Sequence, residues 1–183
     1  MISHLPARAA LLTAVIALPL LAGCGSSRNT ADGPPCPRVV RLADATDLTR
    51  YRAGAVPDIG TVEVAARIEG VRFACSLAPR NAGLDVILTV GVSAERGPGA
   101  TGRTADLPYF VWVVDRDESR VLNRGSDTLR VQFPPNTNTT TAVGEEMQVR
   151  IPGDPRAAAE RTVLVGFQLS PEQLEANRRR GTR

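Results

Sequence analysis

The residues of this chain that are able to do chemistry are few and scattered. Asp115, Asp117 and Glu118 fall in one short polar stretch, and carboxylate oxygens are the ligands that hard cations such as calcium take. Their spacing lacks the rest of an EF-hand, and Arg116 and Arg120 dilute the charge, so the stretch reads as a solvated hairpin tip. Glu145 and Glu146 are adjacent carboxylates, and neighbouring positions on a strand point to opposite faces, which disfavours a catalytic pair. Asn138-Thr139-Thr140 matches a glycosylation sequon and reads as a polar loop. Tyr109, Phe110 and Trp112 are the candidates for a ligand-binding platform; alternation puts Tyr109 opposite the other two, and core packing is the simpler use of all three. The single histidine is His4, and no lysine occurs, so all 22 basic residues are arginines.

The opening segment decides how these residues are counted. His4 and Arg8 give a weakly basic lead, Ala9 to Leu20 an apolar run, and small residues precede a cysteine, which is the anatomy of a secretory signal peptide. The run is shorter than the roughly 20 apolar residues of a membrane-spanning helix, and Pro19 interrupts its end. Leu21-Ala22-Gly23-Cys24 resembles the lipobox of bacterial lipoproteins. The resemblance implies cleavage before Cys24 and attachment of lipid, palmitate among the acyl chains, to Cys24. It also implies a partner, the lipid bilayer, held through acylated Cys24, since two or more chains make a stable anchor where one is marginal. Gly25, in place of an aspartate, leans toward the outer membrane, facing the periplasm.

A cut at that point removes His4. The remaining chain then has no histidine for general acid/base catalysis, Ser-His-Asp or Cys-His nucleophiles, or histidine-ligated metal. Catalytic, cofactor-binding and metal-binding residues are accordingly expected to be none, and so are cofactors. The formal charge of +3 for the whole chain falls to +2, too small and too dispersed to argue for nucleic acid.

With Cys24 lipidated, Cys36 and Cys75 are left, an even pair in an oxidising compartment, and one disulfide is the natural reading. Two buried thiols or a redox pair are the alternatives, although no C-x-x-C motif is present. Residues 24–35 comprise the anchored cysteine and a stretch without large apolar side chains, read as a flexible tether spanning about 18 Å on average. Residues 36–183 are close to the commonest size of a single domain. The organisation is therefore signal peptide over 1–23, tether over 24–35 and one folded domain over 36–183.

Within that domain the apolar residues recur with period two. Val39 to Leu42 opens a strand, followed by a turn or short helical excursion over Ala43 to Leu48. Val62, Val64, Ala66 and Ile68 alternate with polar or small residues, and past Gly70 the apolar set becomes Val71, Phe73, Cys75 and Leu77. The phase change calls for a bulge at Glu69-Gly70 or a tight hairpin there. Leu84 to Val92 alternates again until Gly97-Pro98-Gly99. Tyr109 to Val114 is apolar on both faces and reads as a central strand covered on both sides. Val121-Leu122, Thr128 to Phe133, Gln148 to Ile151 and Thr162 to Leu169 supply the rest. Seven to nine strands at this spacing make the expected fold mainly β: an antiparallel β-sandwich, immunoglobulin-like in strand pattern, with an open barrel second.

The carboxyl end departs from this pattern. Ser170 as N-cap, Pro171 at the first helical position and Gln173 completing a capping box predict a short C-terminal helix over about 171–179. Arg178, Arg179, Arg180 and Arg183 follow as a charge run that either touches anionic headgroups or is a solvated tail. Two function classes compete. One is a membrane-anchored lipoprotein of the cell envelope with a non-catalytic interaction, assembly or structural role and an unknown envelope protein as partner. The other is a periplasmic small-ligand-binding module or a carboxylate-based enzyme, which would need a polar pocket with carboxylates of raised pKa.

Overall fold

The structure, a computed structural model, describes residues 35–181. Cys24 and the signal-peptide and tether expectations for residues 1–34 lie outside the described residues, as does Arg183. Among the described residues nine strands form two sheets. The first contains β1 (Arg38–Arg41), β9 (Thr162–Phe167), β5 (Thr104–Val114) and β6 (Val121–Gln132), in that order. The second contains β2 (Asp47–Tyr51), β3 (Val62–Leu77) and β4 (Gly83–Arg96), with β7 (Thr139–Val143) and β8 (Met147–Pro152) sharing the far side of β4. A short helix α1 (Pro155–Ala159) precedes β9, and α2 (Pro171–Arg180) ends the described chain. This is the antiparallel sandwich with a C-terminal helix that the alternation calls for, and one pairing is parallel, β1 with β9.

One core lies between the sheets. Ile68, Leu84, Val86, Leu88 and Val90 from the second sheet and Leu107, Val111, Val113, Val163 and Val165 from the first are all 0–1% exposed and belong to one contiguous cluster. Every position of β9 is buried, as the middle place between β1 and β5 requires. The phase change in the long third strand is a bulge, not a hairpin: Ile68 pairs with Val92 and Gly70 with Gly91, leaving Glu69 extra. Arg41, from β1, donates to the carbonyls of Ile68 (2.8 Å) and Glu69 (3.0 Å), so the irregular backbone finds a partner in the facing sheet.

The strand over Tyr109 to Val114 is covered on both faces, as its composition demands. Tyr109, Val111 and Val113 enter the main core, while Phe110 and Val114 join Leu164 and Ala45 in a smaller cluster on the outer side, flanked by Trp112. The Phe110 and Trp112 rings lie 4.2 Å apart between centroids, and the Arg124 guanidinium sits 5.6 Å from the Trp112 ring. Gly166 is required beneath them, because a Cβ there would lie 2.7 Å from Ala45 and 2.8 Å from the Phe110 ring. Cys36 and Cys75 form a disulfide with Cα atoms 5.8 Å apart, fastening the residues before β1 to the outer half of β3.

Candidate functional site

The residues singled out by type do not assemble into a reacting centre. Asp115 is used locally: its carboxylate accepts from the backbone and hydroxyl of Ser119 (2.9 and 3.1 Å) and from the backbone of Arg120 (3.2 Å), which ties off the β5–β6 turn. Desolvation pushes its pKa up, but the hydrogen bonds from Arg120 and Ser119 outweigh it and the net shift is downward. Glu118 pairs with Arg38 at 2.6 Å. Among the described residues no group of three or more His, Cys, Asp or Glu is placed to hold a metal ion. Glu145 and Glu146 are exposed in the link between β7 and β8. Tyr109 is 1% exposed in the core. Burial first, then Asp127, whose carboxylate its hydroxyl meets at 3.3 Å, pushes the Tyr109 phenol up to about 12.

Among the described residues the carboxylates with displaced pKa all move toward the ionised form, and their partners explain why. Asp85 on β4 stands directly across the ladder from Arg150 on β8, and the guanidinium binds it through two hydrogen bonds of 2.7 and 2.8 Å. Asp106 and Arg130 repeat the arrangement between β5 and β6 at 2.7 and 3.0 Å. In each case the hydrogen bonds from arginine lower the aspartate against the upward pull of desolvation. Glu172 is lowered chiefly by Ser170 in the first turn of α2.

The concave surfaces gather around that helix. Ser170 and Gln173 form the expected capping box, with Ser170 Oγ accepting from the Gln173 backbone at 3.3 Å and Gln173 Oε1 accepting from the Ser170 backbone at 2.8 Å. The rest of the Gln173 amide reaches sideways, donating to the carbonyl of Thr49 at 2.8 Å, and Asn177 donates to the carbonyls of Asp47 (2.7 Å) and Asp44 (2.8 Å). Four helical residues rise about 6 Å, and alternate residues of a strand are separated by about 6.6 Å. Two amides one turn apart therefore meet Thr49 and Asp47, alternate carbonyls on the outer edge of β2. The helix seals that edge, which would otherwise be a template for another chain. The charge run is accordingly a docked helix end: Arg178 pairs with Asp44 at 3.1 Å, Arg179 with Glu175 at 3.6 Å, and Arg180 hydrogen-bonds Asn177.

Two recesses flank the seal. A cleft of about 640 Å³ opens between β1, the Ala43–Ala45 turn and the end of α2, with Arg41, Arg67 and Arg180 against Asp44 and Asp47; Arg67 and Asp47 pair at 2.8 Å. A groove of about 680 Å³ lies between α2 and the end of β2, and its walls include Tyr51, Pro57 and Ala176. The loop from Arg52 to Thr61 beside it is tied by local hydrogen bonds. Asp58 and Thr61 form a capping box, Thr61 Oγ1 donates to the Val56 carbonyl at 2.9 Å, and the Thr61 carbonyl accepts from the Arg52 backbone at 2.8 Å. Sequence patterning passes over this loop. Its one local signal is Asp58-Ile59-Gly60-Thr61, a box of the Ser/Asp-x-x-Thr kind that starts a short helix.

These features place the chain in the mainly-β class, as a disulfide-bonded two-sheet sandwich. Comparison with protein-family models, with curated proteins and with solved structures found no match.

Proposed function

We propose that this chain is a bacterial envelope lipoprotein, anchored through acylated Cys24, whose sandwich domain acts by binding a partner protein. The anchor rests on Leu21-Ala22-Gly23-Cys24 at the end of an apolar run. The binding role rests on the surface that the second sheet leaves open. Past Arg67 the ladder partner of β3 is β4 alone, and Phe73 and Leu77 on that half are 44% and 46% exposed.

Growth of the cells with an alkyne-tagged palmitate tests the anchor: the protein takes up the tag and sediments with membranes, and Cys24→Ala abolishes both. An untagged, soluble wild-type protein refutes it. In-cell photo-crosslinking tests the binding role, and recovery of no envelope protein above background counts against it. A second reading, a module for a small anionic ligand, draws on the arginine-lined cleft of about 640 Å³. Saturable calorimetric binding of such a ligand, lost in Arg67→Ala, would favour it.

A further inference from the structure

The disulfide joins two unequal parts of the fold. Cys75 is half-buried within β3, and its stretch of that strand is laddered to β4 from Gly70 to Leu77. Cys36 is exposed, and the strand it introduces is lightly held. β1 has four residues, none of them fully buried, and only Val39 and Val40 pack against apolar clusters. Its ladder has four pairs, all with β9, and parallel pairs are slightly weaker per residue than antiparallel ones. No strand lies on the other side of β1. There Arg41 reaches the carbonyls of Ile68 and Glu69, and Arg38 pairs with Glu118 at the surface. β9, by contrast, has six further pairs with β5 that do not involve β1. A segment with few buried apolar contacts opens locally without the rest of its domain. The disulfide therefore secures the part of the sandwich that the core secures least.

We propose that Cys36–Cys75 is a redox clasp: a dithiol opens it in the folded domain, and β1 then comes away from β9 while the two sheets stay packed. A thiolate of the dithiol attacks the sulfur of Cys36, the exposed member of the pair. The Cys36–Cys75 bond breaks, a mixed disulfide forms at Cys36, and Cys75 departs as a thiolate that takes up a proton. The second thiol of the donor attacks the mixed disulfide and releases Cys36 as a thiol. Two electrons thus pass from the dithiol to the cystine, and the donor leaves as a disulfide. The donor is a protein dithiol of the exported compartment, a source that rests on the envelope reading above; the clasp itself does not rest on it. Departure of β1 uncovers the edge of β9 from Thr162 to Val165, where every residue is buried, and converts a covered edge into one able to accept a strand.

The test uses the full chain in its folded state, with dithiothreitol as the dithiol. Alkylation with N-ethylmaleimide and mass spectrometry of the Cys36 and Cys75 peptides give the rate of opening. That rate is expected to lie within about 100-fold of the rate for oxidised glutathione and to be unchanged by dilute urea, because no global unfolding precedes it. A bond reached only through global unfolding would open more than about 1,000-fold slower than glutathione and would speed up with urea, and that result overturns the proposal. Trypsin reads the strand itself. After reduction, cleavage following Arg38 and Arg41 is expected to rise by about ten-fold or more, while far-ultraviolet circular dichroism keeps its strand signal. Cys36→Ser/Cys75→Ser should show the same cleavage with no reductant. Unchanged cleavage in either protein, or loss of the strand signal on reduction, also overturns the proposal. The peptides read are those of Cys36 and Cys75 alone, so failure of the clasp and failure of the anchor at Cys24 are separately visible.

Discussion

Replacing Asn177 by alanine removes the side chain that joins α2 to the edge of β2, and the structure sets the size of the loss. The Asn177 amide is 9% exposed and donates to two carbonyls, at 2.7 and 2.8 Å. Each such hydrogen bond contributes about 1 kcal/mol net, so about 2 kcal/mol goes with the amide. Alanine is the better helix former by about 0.5 kcal/mol and offsets part of it. The expected net loss is about 1.5 kcal/mol, or about 3–6 °C in thermal midpoint for a domain of this size. Urea unfolding, followed by the fluorescence of the single tryptophan, Trp112, and by far-ultraviolet circular dichroism, measures it. Asn177→Asp sharpens the experiment, because an ionised carboxylate turns acceptors toward the two carbonyls. It should lose more than alanine at neutral pH and approach alanine as the pH falls toward about 4. A change below about 0.5 kcal/mol in Asn177→Ala would show that the helix is not held by its amides.

Further outcomes are expected elsewhere in the domain. Reduction of Cys36–Cys75, a separation of 39 residues, should cost about 4 kcal/mol on the chain-entropy account, seen as a lower urea midpoint with reductant that Cys36→Ala/Cys75→Ala reproduces without it. Asp85 has a depressed pKa through its hydrogen bonds to Arg150, so its contribution is present at neutral pH and is lost as the pH falls through the carboxylate range. Asp85→Asn should flatten the acid limb of a stability profile more than Asp106→Asn, since the Asp85 side chain is 9% exposed and that of Asp106 50%. Tyr109 runs the opposite way: its phenol is raised from 10.0 to about 12, so stability is intact below about pH 10 and falls as the pH climbs toward 12, and Tyr109→Phe should withstand alkali better. Gly166→Ala forces a methyl into the Phe110 ring and Ala45 and should cost about 1–3 kcal/mol, with a change in Trp112 emission.

Strands that bury one face could be read from alternation, and those that bury little could not. β3 and β4 carry long apolar series, and the bulge at Glu69 was visible as a shift of phase. β2 buries only Leu48, and β7 has no fully buried residue, so Asp47–Tyr51 and Thr139–Val143 carry no periodic signal, as edge strands often do not. β6 runs unbroken through Asn123–Thr128, where both faces are polar or small. Its pairing with β5, not its own composition, makes it one strand. Around α2 the capping box was local and legible. The seal was not, because the acceptors of Gln173 and Asn177 are backbone carbonyls 124 and 130 residues earlier, and any residue type could have supplied them. The exposed loop was equally silent, since Val56 and Ile59 look in sequence like two more core residues.

The parallel pairing of β1 with β9 matches Arg38 to Thr162 and Arg41 to Val165, which bears on how the domain is made. A chain emerging amino end first, from a ribosome or an export pore, releases its first strand long before the strand that will hold it. The meander of β2, β3 and β4 can pair early, but its inner face is only partly covered, by β5 and β6, until Thr162–Phe167 is out. Cys75 emerges well before that. Oxidation at that stage would moor the first strand beside β3 and shorten the search that β9 must complete.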